Sequence, residues 1–323
     1  MEKIPVILDC DPGHDDSFAI ILSSFSSRID LKAIITEGGN QTIQKTTQNA
    51  LKTLTVIGKQ NIPVIQGQDF PLMIKERVCP EIHGETGLDG TEFPPVEVSP
   101  VNVKDGKVIQ KGVVFLAEFI EKQEKPITLV CTARLTNIAL LFTLYPELTK
   151  KIQQVVLLAG AIGSGNITPV SEFNILGDPH AAKILFDLGE EDLKIVMVPL
   201  EVSHTVLVTE QIFERIRKET ENSKFGKLCE NLLRFFQKTY ATVFMMEDPP
   251  LHDPVAVQYV VNPSIFQEKR LRVDIECCSP LSFGQTVVDI YQSTQKPKNV
   301  HVCFKVEVEK FWDSMINAIV LGK

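Results

Sequence analysis

Four aspartates lie within eight residues near the amino terminus, in a pattern suited to binding a cation. Asp9, Asp11, Asp15 and Asp16 directly follow the apolar run Val6–Leu8. Carboxylates crowded in one place repel one another, and a bound cation offsets that repulsion. Because the ligands are hard oxygens, they favour Ca²⁺ or Mg²⁺ over Zn²⁺. One aspartate beside such a turn can instead cap a helix, and Asp15 is the candidate for that purely structural role.

The residues around these aspartates predict a strand, a turn and a helix. The β-branched and leucine residues of Val6–Leu8 are typical of a buried strand. Pro12 and Gly13 end that strand, and Ser17–Leu22 indicates the start of a helix. The carboxylates therefore gather at the carboxyl end of a strand, which is where open α/β sheets bind their ligands.

Strand-like and helix-like segments alternate through the first two-thirds of the chain, which predicts a mostly parallel, Rossmann-like sheet flanked by helices. We expect one α/β domain over residues 1–323, with a mainly helical region at Thr209–Met246 near the carboxyl-terminal side of the site. The pair Cys277-Cys278 is interpreted as strand. The long segment Gly67–Gly106 is rich in Pro and Gly, and a connection of that length is usually functional.

Polar residues follow several of the predicted strands and would meet at one edge of the sheet. They are Asn40 after the second strand, Thr132 after the strand at 127–131, Asn166, Glu172 and Asn174 after the strand at 155–159, and His252-Asp253 before a later helix. Each also has an ordinary structural interpretation. Asn40 suits a turn, Asp253 followed by Pro254 suits a helix start, and His252 suits a surface histidine.

The octet from Asp9 to Asp16 resembles the amino-terminal signature of the nucleoside hydrolases. The resemblance extends from residue 4 to about residue 262 and is loose beyond that. Its other matching segments are Gly38–Gln41, Leu135–Ala139, Gly165–Pro169, Glu172–Asn174 and His252–Pro254. It implies hydrolysis of the N-glycosidic bond of ribonucleosides, giving free base and ribose, in salvage or catabolism.

The resemblance also implies a role for each matching residue. Asp11, Asp16, Asp253 and the main-chain carbonyl of Thr132 would hold Ca²⁺, and Asp11 would be the general base that takes a proton from the activated water. Asp15 and Asn40 would bind around the ribose 2′-hydroxyl and the water. Asn166, Glu172 and Asn174 would hold the 3′- and 5′-hydroxyls, with Leu158 and Phe173 lining the ribose.

The same resemblance places the base-binding residues in two segments. His252 would protonate or hydrogen-bond the departing base, and His83 in the long loop would contact it. Tyr240 and Phe244 are the candidates for stacking on the base, although aromatic residues at helical spacing are usually core. The two histidines favour uridine and cytidine, with inosine as the alternative.

Two positions depart from the family pattern. Arg134 lies where small residues are common, and we expect it to face solvent rather than to contact an anion. Glu37 lies where a small or apolar residue is common before the glycines. It is interpreted either as a group that adjusts the surroundings of the metal or as a salt-bridge partner of Arg134.

Composition limits the partners. The chain has 323 residues, of which 44% are hydrophobic and 23% charged, with a formal net charge of −8. The negative charge argues against nucleic acid or an anionic membrane as the main partner. No apolar run approaches the ~18 residues of a membrane helix, and no signal peptide is recognisable. Seven scattered cysteines, Cys131 and Cys303 among them, suggest buried thiols in a reducing cytoplasm. Homodimers or homotetramers, usual in the family, are expected.

Two other functions remain open from the sequence. The Asp9-Cys10-Asp11 segment after a strand is similar to that of the haloacid-dehalogenase phosphatases, although Pro12-Gly13 follows it here. A nucleoside-binding protein without catalytic activity would need the same polar residues. A dinucleotide site is disfavoured because no Gly-x-Gly-x-x-Gly follows the first strand.

Overall fold

A nine-stranded sheet forms the centre of the molecule. The computed structural model describes residues 2–189 and 193–323. Its strands are β1 (Ile4–Cys10), β2 (Ile29–Thr36), β3 (Val64–Gln66), β4 (Val103–Lys104), β5 (Lys107–Val108), β6 (Ile127–Cys131), β7 (Ile152–Leu158), β8 (Ile195–Val198), β9 (Phe266–Ile275), β10 (Thr286–Asp289) and β11 (Val300–Val306). The sheet order is β10-β9-β11-β8-β7-β6-β1-β2-β3, while β4 and β5 form a separate hairpin.

Helices cover both faces of this sheet. They are α1 (His14–Phe25), α2 (Ile43–Val56), α3 (Pro80–His83), α4 (Gly112–Glu121), α5 (Thr136–Leu144), α6 (Phe173–Gly177), α7 (Pro179–Leu188), α8 (Leu200–Ser203), α9 (Glu210–Glu219), α10 (Lys224–Val243), α11 (Asp253–Val261) and α12 (Val308–Leu321). Among the described helices, none combines the length and the apolar character that crossing a membrane requires.

The central strand β1 is apolar on both sides because both sides are covered. Val6, Leu8 and Cys10 belong to the hydrophobic core on one face, which includes α1, α11 and α12. Ile7 belongs to the core on the other face, with α4, α5 and α7. Continuous burial of this kind is typical of a parallel strand between two helical layers.

The predicted α/β architecture is confirmed. The neighbouring strands β3, β2, β1, β6, β7 and β8 are parallel, and β11 pairs in parallel with β8. In contrast, β9 is antiparallel to β10 and β11. The strand assignment of Cys277-Cys278 is wrong, since both lie between β9 and β10. The Glu276 carboxylate accepts hydrogen bonds from the main-chain N–H groups of Cys278 (2.6 Å) and Ser279 (2.9 Å), and this turn ends the strand.

Candidate active site

The turn between β1 and α1 brings the aspartates to the carboxyl edge of the sheet. Helix α1 begins at His14, three residues earlier than expected, so Asp15 and Asp16 lie in its first turn. The positive end of a helix dipole favours carboxylates there. The Asp16 carboxylate accepts a hydrogen bond from the main-chain N–H of Gly13 at 3.0 Å. The N-cap residue is Gly13, and the side chain that completes this cap is that of Asp16, whereas Asp15 was the one proposed for a capping role.

Asp15, Asp16 and Asp253 form a compact acidic cluster. One carboxylate oxygen from each lies within 4.8 Å of the others, and all three residues are buried. Asp253 is the first residue of α11, which packs against α1. Burial raises the pKa of all three carboxyl groups, to about 7 for Asp15, because it removes the water that stabilises their charge.

This cluster fits a divalent cation of the Ca²⁺ or Mg²⁺ type. Its donors are carboxylate oxygens, and Asp15 Oδ1 is buried without a hydrogen-bond partner. A buried, unsatisfied carboxylate oxygen is costly, and a cation ligated by oxygen satisfies it. The sequence placed Asp11 among the ligands and Asp15 at the ribose. In the structure Asp15 belongs to the cluster, and Asp11 lies beside it.

The Asp11 carboxylate is held by the segment that follows β2. The main-chain N–H of Asn40 donates to Asp11 Oδ2 at 2.7 Å, and Asn40 Nδ2 donates to Asp16 Oδ2 at 3.0 Å. Gly39 packs so tightly on this carboxylate that a Cβ atom at that position would overlap Asp11 Oδ2. Burial, and then repulsion from Asp16, raises the pKa of Asp11 well above its ordinary value. Asp11 therefore has a fixed orientation.

A cavity of about 600 Å³ opens beside the acidic cluster. Of the fifteen residues that the sequence assigned to the site, all but Asp11 and Asp16 line this cavity. Those in its lining are Asp15, Asn40, His83, Thr132, Leu158, Asn166, Glu172, Phe173, Asn174, Tyr240, Phe244, His252 and Asp253. Asp11 instead lines a second cavity of about 340 Å³, which shares Ile167 and Phe173 with the first.

Hydrogen bonds fix the polar residues at the end of the cavity next to the cluster. Glu172 caps α6 by accepting from the main-chain N–H groups of Asn174 (2.7 Å) and Ile175 (3.0 Å). Asn174 Nδ2 donates to the carbonyls of Thr132 (3.0 Å) and Leu158 (2.9 Å). Thr132 directly follows β6, and Leu158 is the last residue of the neighbouring strand β7. Thr132 Oγ1 donates to Asp16 Oδ1 at 2.8 Å. This end is therefore a rigid, acceptor-rich surface.

A chain of three hydrogen-bonded side chains also lines the cavity, and its His252 directly precedes Asp253 of the acidic cluster. His252 Nδ1 lies 2.8 Å from Ser203 Oγ, and His252 Nε2 lies 3.0 Å from Tyr240 Oη. Burial, and then the charge of His204, lowers the pKa of His252 to about 3, while burial raises that of Tyr240 well above 10. At neutral pH the pair is a neutral imidazole and a neutral phenol, so it offers a hydrogen-bond donor without a net charge.

His83 lies in a stack of aromatic rings that includes Phe236, a neighbour of Tyr240. Its ring is 5.6 Å from that of Phe236 and 5.4 Å from that of His14, which in turn stacks on Phe235 at 5.1 Å. His83 Nδ1 is 3.2 Å from the main-chain N–H of His14. Burial lowers the pKa of His83 well below 6.5. The long segment 67–106 therefore reaches the cavity, and stacking holds His83 in place.

The sequence analysis did not assign several residues at or near the cavity to the site, among them His14, Cys79, Ser203 and Phe236. Cys79, Ser203 and Phe236 line the cavity, and His14 supports His83. His14 lies within the aspartate octet, so its position was a usable signal. Ser203 gave no signal, because it is far from His252 in the chain and reaches it only through the fold.

Arg134 is buried, so the expectation that it faces solvent is wrong. Arg134 Nε lies 3.1 Å from Glu37 Oε2, with side-chain exposures of 3% and 0%. The salt-bridge alternative for Glu37 is therefore confirmed. The charges compensate each other inside the protein, which is the condition under which arginine and glutamate are buried.

The sequence matches the model of a protein family over residues 6–313, and that family is described as inosine-uridine preferring nucleoside hydrolase. The chain belongs to this family. It is therefore a nucleoside hydrolase, an N-glycosyl hydrolase acting on nucleosides, and the phosphatase alternative has no support. The catalytic activity of the family accounts for a cavity that joins an acidic cluster able to hold a cation with a neutral hydrogen-bond donor.

Individual relatives agree with this assignment. This nucleoside hydrolase is 45% identical to a probable ribonucleoside hydrolase of Dictyostelium discoideum, over 98% of this chain and 95% of the relative. It is 40% identical to the pyrimidine-specific ribonucleoside hydrolase RihA of Shewanella sp. (strain MR-7), over 98% and 96%. The solved structure of a purine-preferring ribonucleoside hydrolase from Gardnerella vaginalis superposes with a TM-score of 0.88, at 28% identity and 99% coverage of both chains.

Proposed function

We propose that this nucleoside hydrolase cleaves pyrimidine ribonucleosides, uridine and cytidine, by attack of an activated water on the sugar. The single observation that carries the proposal is the arrangement of the main cavity. Its lining joins Asp15 and Asp253 of the acidic cluster to Tyr240, which is hydrogen-bonded to His252. N-glycosidic hydrolysis needs a water activated next to the sugar and a donor next to the base, on opposite sides of the bond.

The residues of the acidic cluster and those beside it would bind ribose and activate water. Ca²⁺ would be held by Asp16, Asp253 and the carbonyl of Thr132. Asp11 is added to these ligands by the resemblance, and Asp15 by its place in the acidic cluster. When bound, Ca²⁺ lowers the pKa of water and orients it.

Asp11 accepts the proton of the attacking water, since its carboxylate is fixed by the main-chain N–H of Asn40. The sugar gains positive charge as the bond breaks. The carboxylates around it stabilise that charge.

The remaining polar residues would bind the hydroxyl groups of ribose. Asp15 and Asn40 would bind the 2′-hydroxyl, and Asn166, Glu172 and Asn174 the 3′- and 5′-hydroxyls, with Leu158 and Phe173 against the ring. Glu172 and Asn174 are buried and held by main-chain hydrogen bonds. Prepositioned groups of this kind lose little entropy when substrate binds.

The leaving base receives its hydrogen bond or proton from the Tyr240–His252 pair. Both nitrogens of His252 are already hydrogen-bonded, to Ser203 and to Tyr240. The phenol hydroxyl is therefore the group between His252 and the base. His83, held in the ring stack, would contact the base from the long segment, and Phe244, whose ring lies 4.9 Å from that of Tyr240, would cover it.

The preference for pyrimidines is supported by the relative named as pyrimidine-specific, at 40% identity. The structural neighbour at 28% identity is named as purine-preferring, so inosine is the alternative substrate. A panel of uridine, cytidine, inosine, adenosine and deoxyuridine would be incubated with Ca²⁺ and, separately, after chelation, and the release of reducing sugar measured. We expect uridine and cytidine to be cleaved fastest and deoxyuridine hardly at all. Binding of uridine without any cleavage would refute the catalytic proposal.

We further propose that the enzyme works as a single domain in the cytoplasm and assembles as a homodimer or homotetramer. The cysteines of the described residues are all free, and Cys131 and Cys303 are fully buried. Free thiols suit a reducing compartment. Light scattering of the purified protein would give its molar mass, and a monomer would refute the assembly.

A further inference from the structure

The buried ion pair Glu37–Arg134 lies next to the acidic cluster without belonging to it. Besides the bond from Arg134 Nε, the Glu37 carboxylate accepts the main-chain N–H of Asn137 at 2.5 Å, so both of its oxygens are engaged. Asn137 is in the first turn of α5. Glu37 therefore joins the end of β2 to the start of α5.

Arg134 joins the same region to the long segment. Its Nη2 donates to the carbonyl of Gln68 at 3.3 Å, and the main-chain N–H of Gly38 donates to the same carbonyl at 3.0 Å. The space around Gly38 is closed: a Cβ there would lie 2.9 Å from the carbonyl oxygen of Asp69 and 3.4 Å from Arg134 Nη2. Residues 37 and 38 thus have little freedom to move.

These two residues lead directly to the groups that hold Asp11. The main-chain N–H of Glu37 donates to the carbonyl of Cys10 at 3.0 Å. Two residues further on, Gly39 packs on the Asp11 carboxylate and Asn40 donates to it. Arg134 and Asp11 also line the second cavity together. A shift of the segment 37–40 would therefore move the hydrogen bond on which the orientation of Asp11 depends.

We propose that Glu37 and Arg134 are positioning residues, which hold the segment 37–40 against Asp11 and so aim its carboxylate at the attacking water. This inference rests on the proposed role of Asp11 as general base. A buried ion pair adds little net stability compared with apolar residues of the same volume. The planar guanidinium of Arg134, bonded both to Glu37 and to the Gln68 carbonyl, nevertheless defines positions more sharply than apolar packing does.

The test uses Arg134→Gln, Glu37→Gln and the double variant, with uridine and 4-nitrophenyl riboside as substrates. We expect Arg134→Gln to lower kcat about 10- to 100-fold, because a displacement of about 1 Å in a catalytic group costs up to that factor. KM should change little, since the ribose-binding residues are untouched. The loss should be equal for both substrates, because the defect concerns the water and not the leaving group. The double variant should keep most of this loss, because it lacks the ion pair that holds the segment 37–40. Recovery of kcat would show that only an unpaired buried charge had lowered it, and would overturn the inference.

Arg272→Gln is the matched control. Arg272 is also a buried arginine paired with a carboxylate, Asp274, but it lies on β9 away from the cavity. We expect its kcat to equal that of the wild type. If Arg134→Gln does not fold, as judged by circular dichroism, Glu37→Gln and Arg134→Lys replace it, with the same expectation of a lowered kcat.

A double-mutant cycle with Asp11→Ala separates positioning from a general structural effect. If Arg134 acts through Asp11, Arg134→Gln should cost less than about 2-fold in the Asp11→Ala background, since interacting residues are not additive. The residual rate is followed by the absorbance of 4-nitrophenolate. An equal loss in both backgrounds, or an unchanged kcat in Arg134→Gln, would overturn the inference. An inactive wild type would refute the proposed function instead, and an Asp11→Ala variant with full activity would refute the role of Asp11.

Discussion

Replacing Tyr240 by Phe should separate the contribution of the hydrogen-bond donor beside the base from that of the residues around the sugar. The substitution removes only the hydroxyl that lies 3.0 Å from His252 Nε2 and keeps the ring that packs on Phe236 and Phe244. General acid assistance is typically worth about 10²- to 10⁴-fold, or about 2.7–5.4 kcal/mol at about 1.36 kcal/mol per factor of ten. We expect a loss in kcat for uridine near the lower limit, about 10²-fold, because His83 remains beside the base. We also expect a loss of about 1–3 kcal/mol in unfolding free energy, since His252 Nε2 is left buried without its partner.

The assay compares uridine with 4-nitrophenyl riboside. Nitrophenolate leaves as a stable anion and needs no proton, so its release should be nearly unchanged in Tyr240→Phe. Tyr259→Phe is the control, because it also removes a hydrogen-bonded phenol, 2.6 Å from Glu268 and away from the cavity. Equal losses on both substrates would show that Tyr240 acts on the sugar or on the fold, and no loss on uridine would show that the base leaves without its help.

Four further predictions test other parts of the site. Ser203→Ala should lower kcat on uridine about 10-fold and leave the nitrophenyl substrate unaffected, because Ser203 orients His252; an effect on both substrates would contradict this. Chelation should abolish cleavage, and Ca²⁺ at 100 times its Kd should add about 2.7 kcal/mol of stability, measured by thermal unfolding, with Asp16→Asn as the variant that does not respond. Gly39→Ala should reduce kcat at least about 10-fold with the fold intact, because its Cβ overlaps the Asp11 carboxylate; a wild-type rate would refute the tight packing. Asp178→Ala should destabilise the protein by about 0.5–2 kcal/mol, measured by urea unfolding, because α7 loses its N-cap. It should leave KM unchanged.

The parts of the fold that the sequence predicted well depend on neighbours in the chain. The apolar run of β1 and the turn at Pro12-Gly13 are both local signals. The position of the polar residues at one edge of the sheet follows from the topology of parallel strands. Helix limits were less accurate: α1 begins at His14, which moves Asp15 and Asp16 into the helix.

The features that escaped prediction depend on contacts between distant residues. The Arg134 side chain is paired with Glu37, 97 residues away, and the charge of an arginine does not indicate whether such a partner exists. Ser203 meets His252 only because α8 packs close to the start of α11. The place of Asp15 in the acidic cluster likewise depends on where α11 delivers Asp253. A single sequence carries none of these distances.

The acidic cluster also has a consequence for biosynthesis. The ribosome makes Asp15 and Asp16 long before Asp253, which follows much later in the chain. Helix α1 packs against α11 and α12, both of which are synthesised late. A nascent chain therefore carries an apolar helix without its covering partners until α11 and α12 have been made. A chain that stalls before α11 would expose the apolar face of α1 to chaperones and proteases.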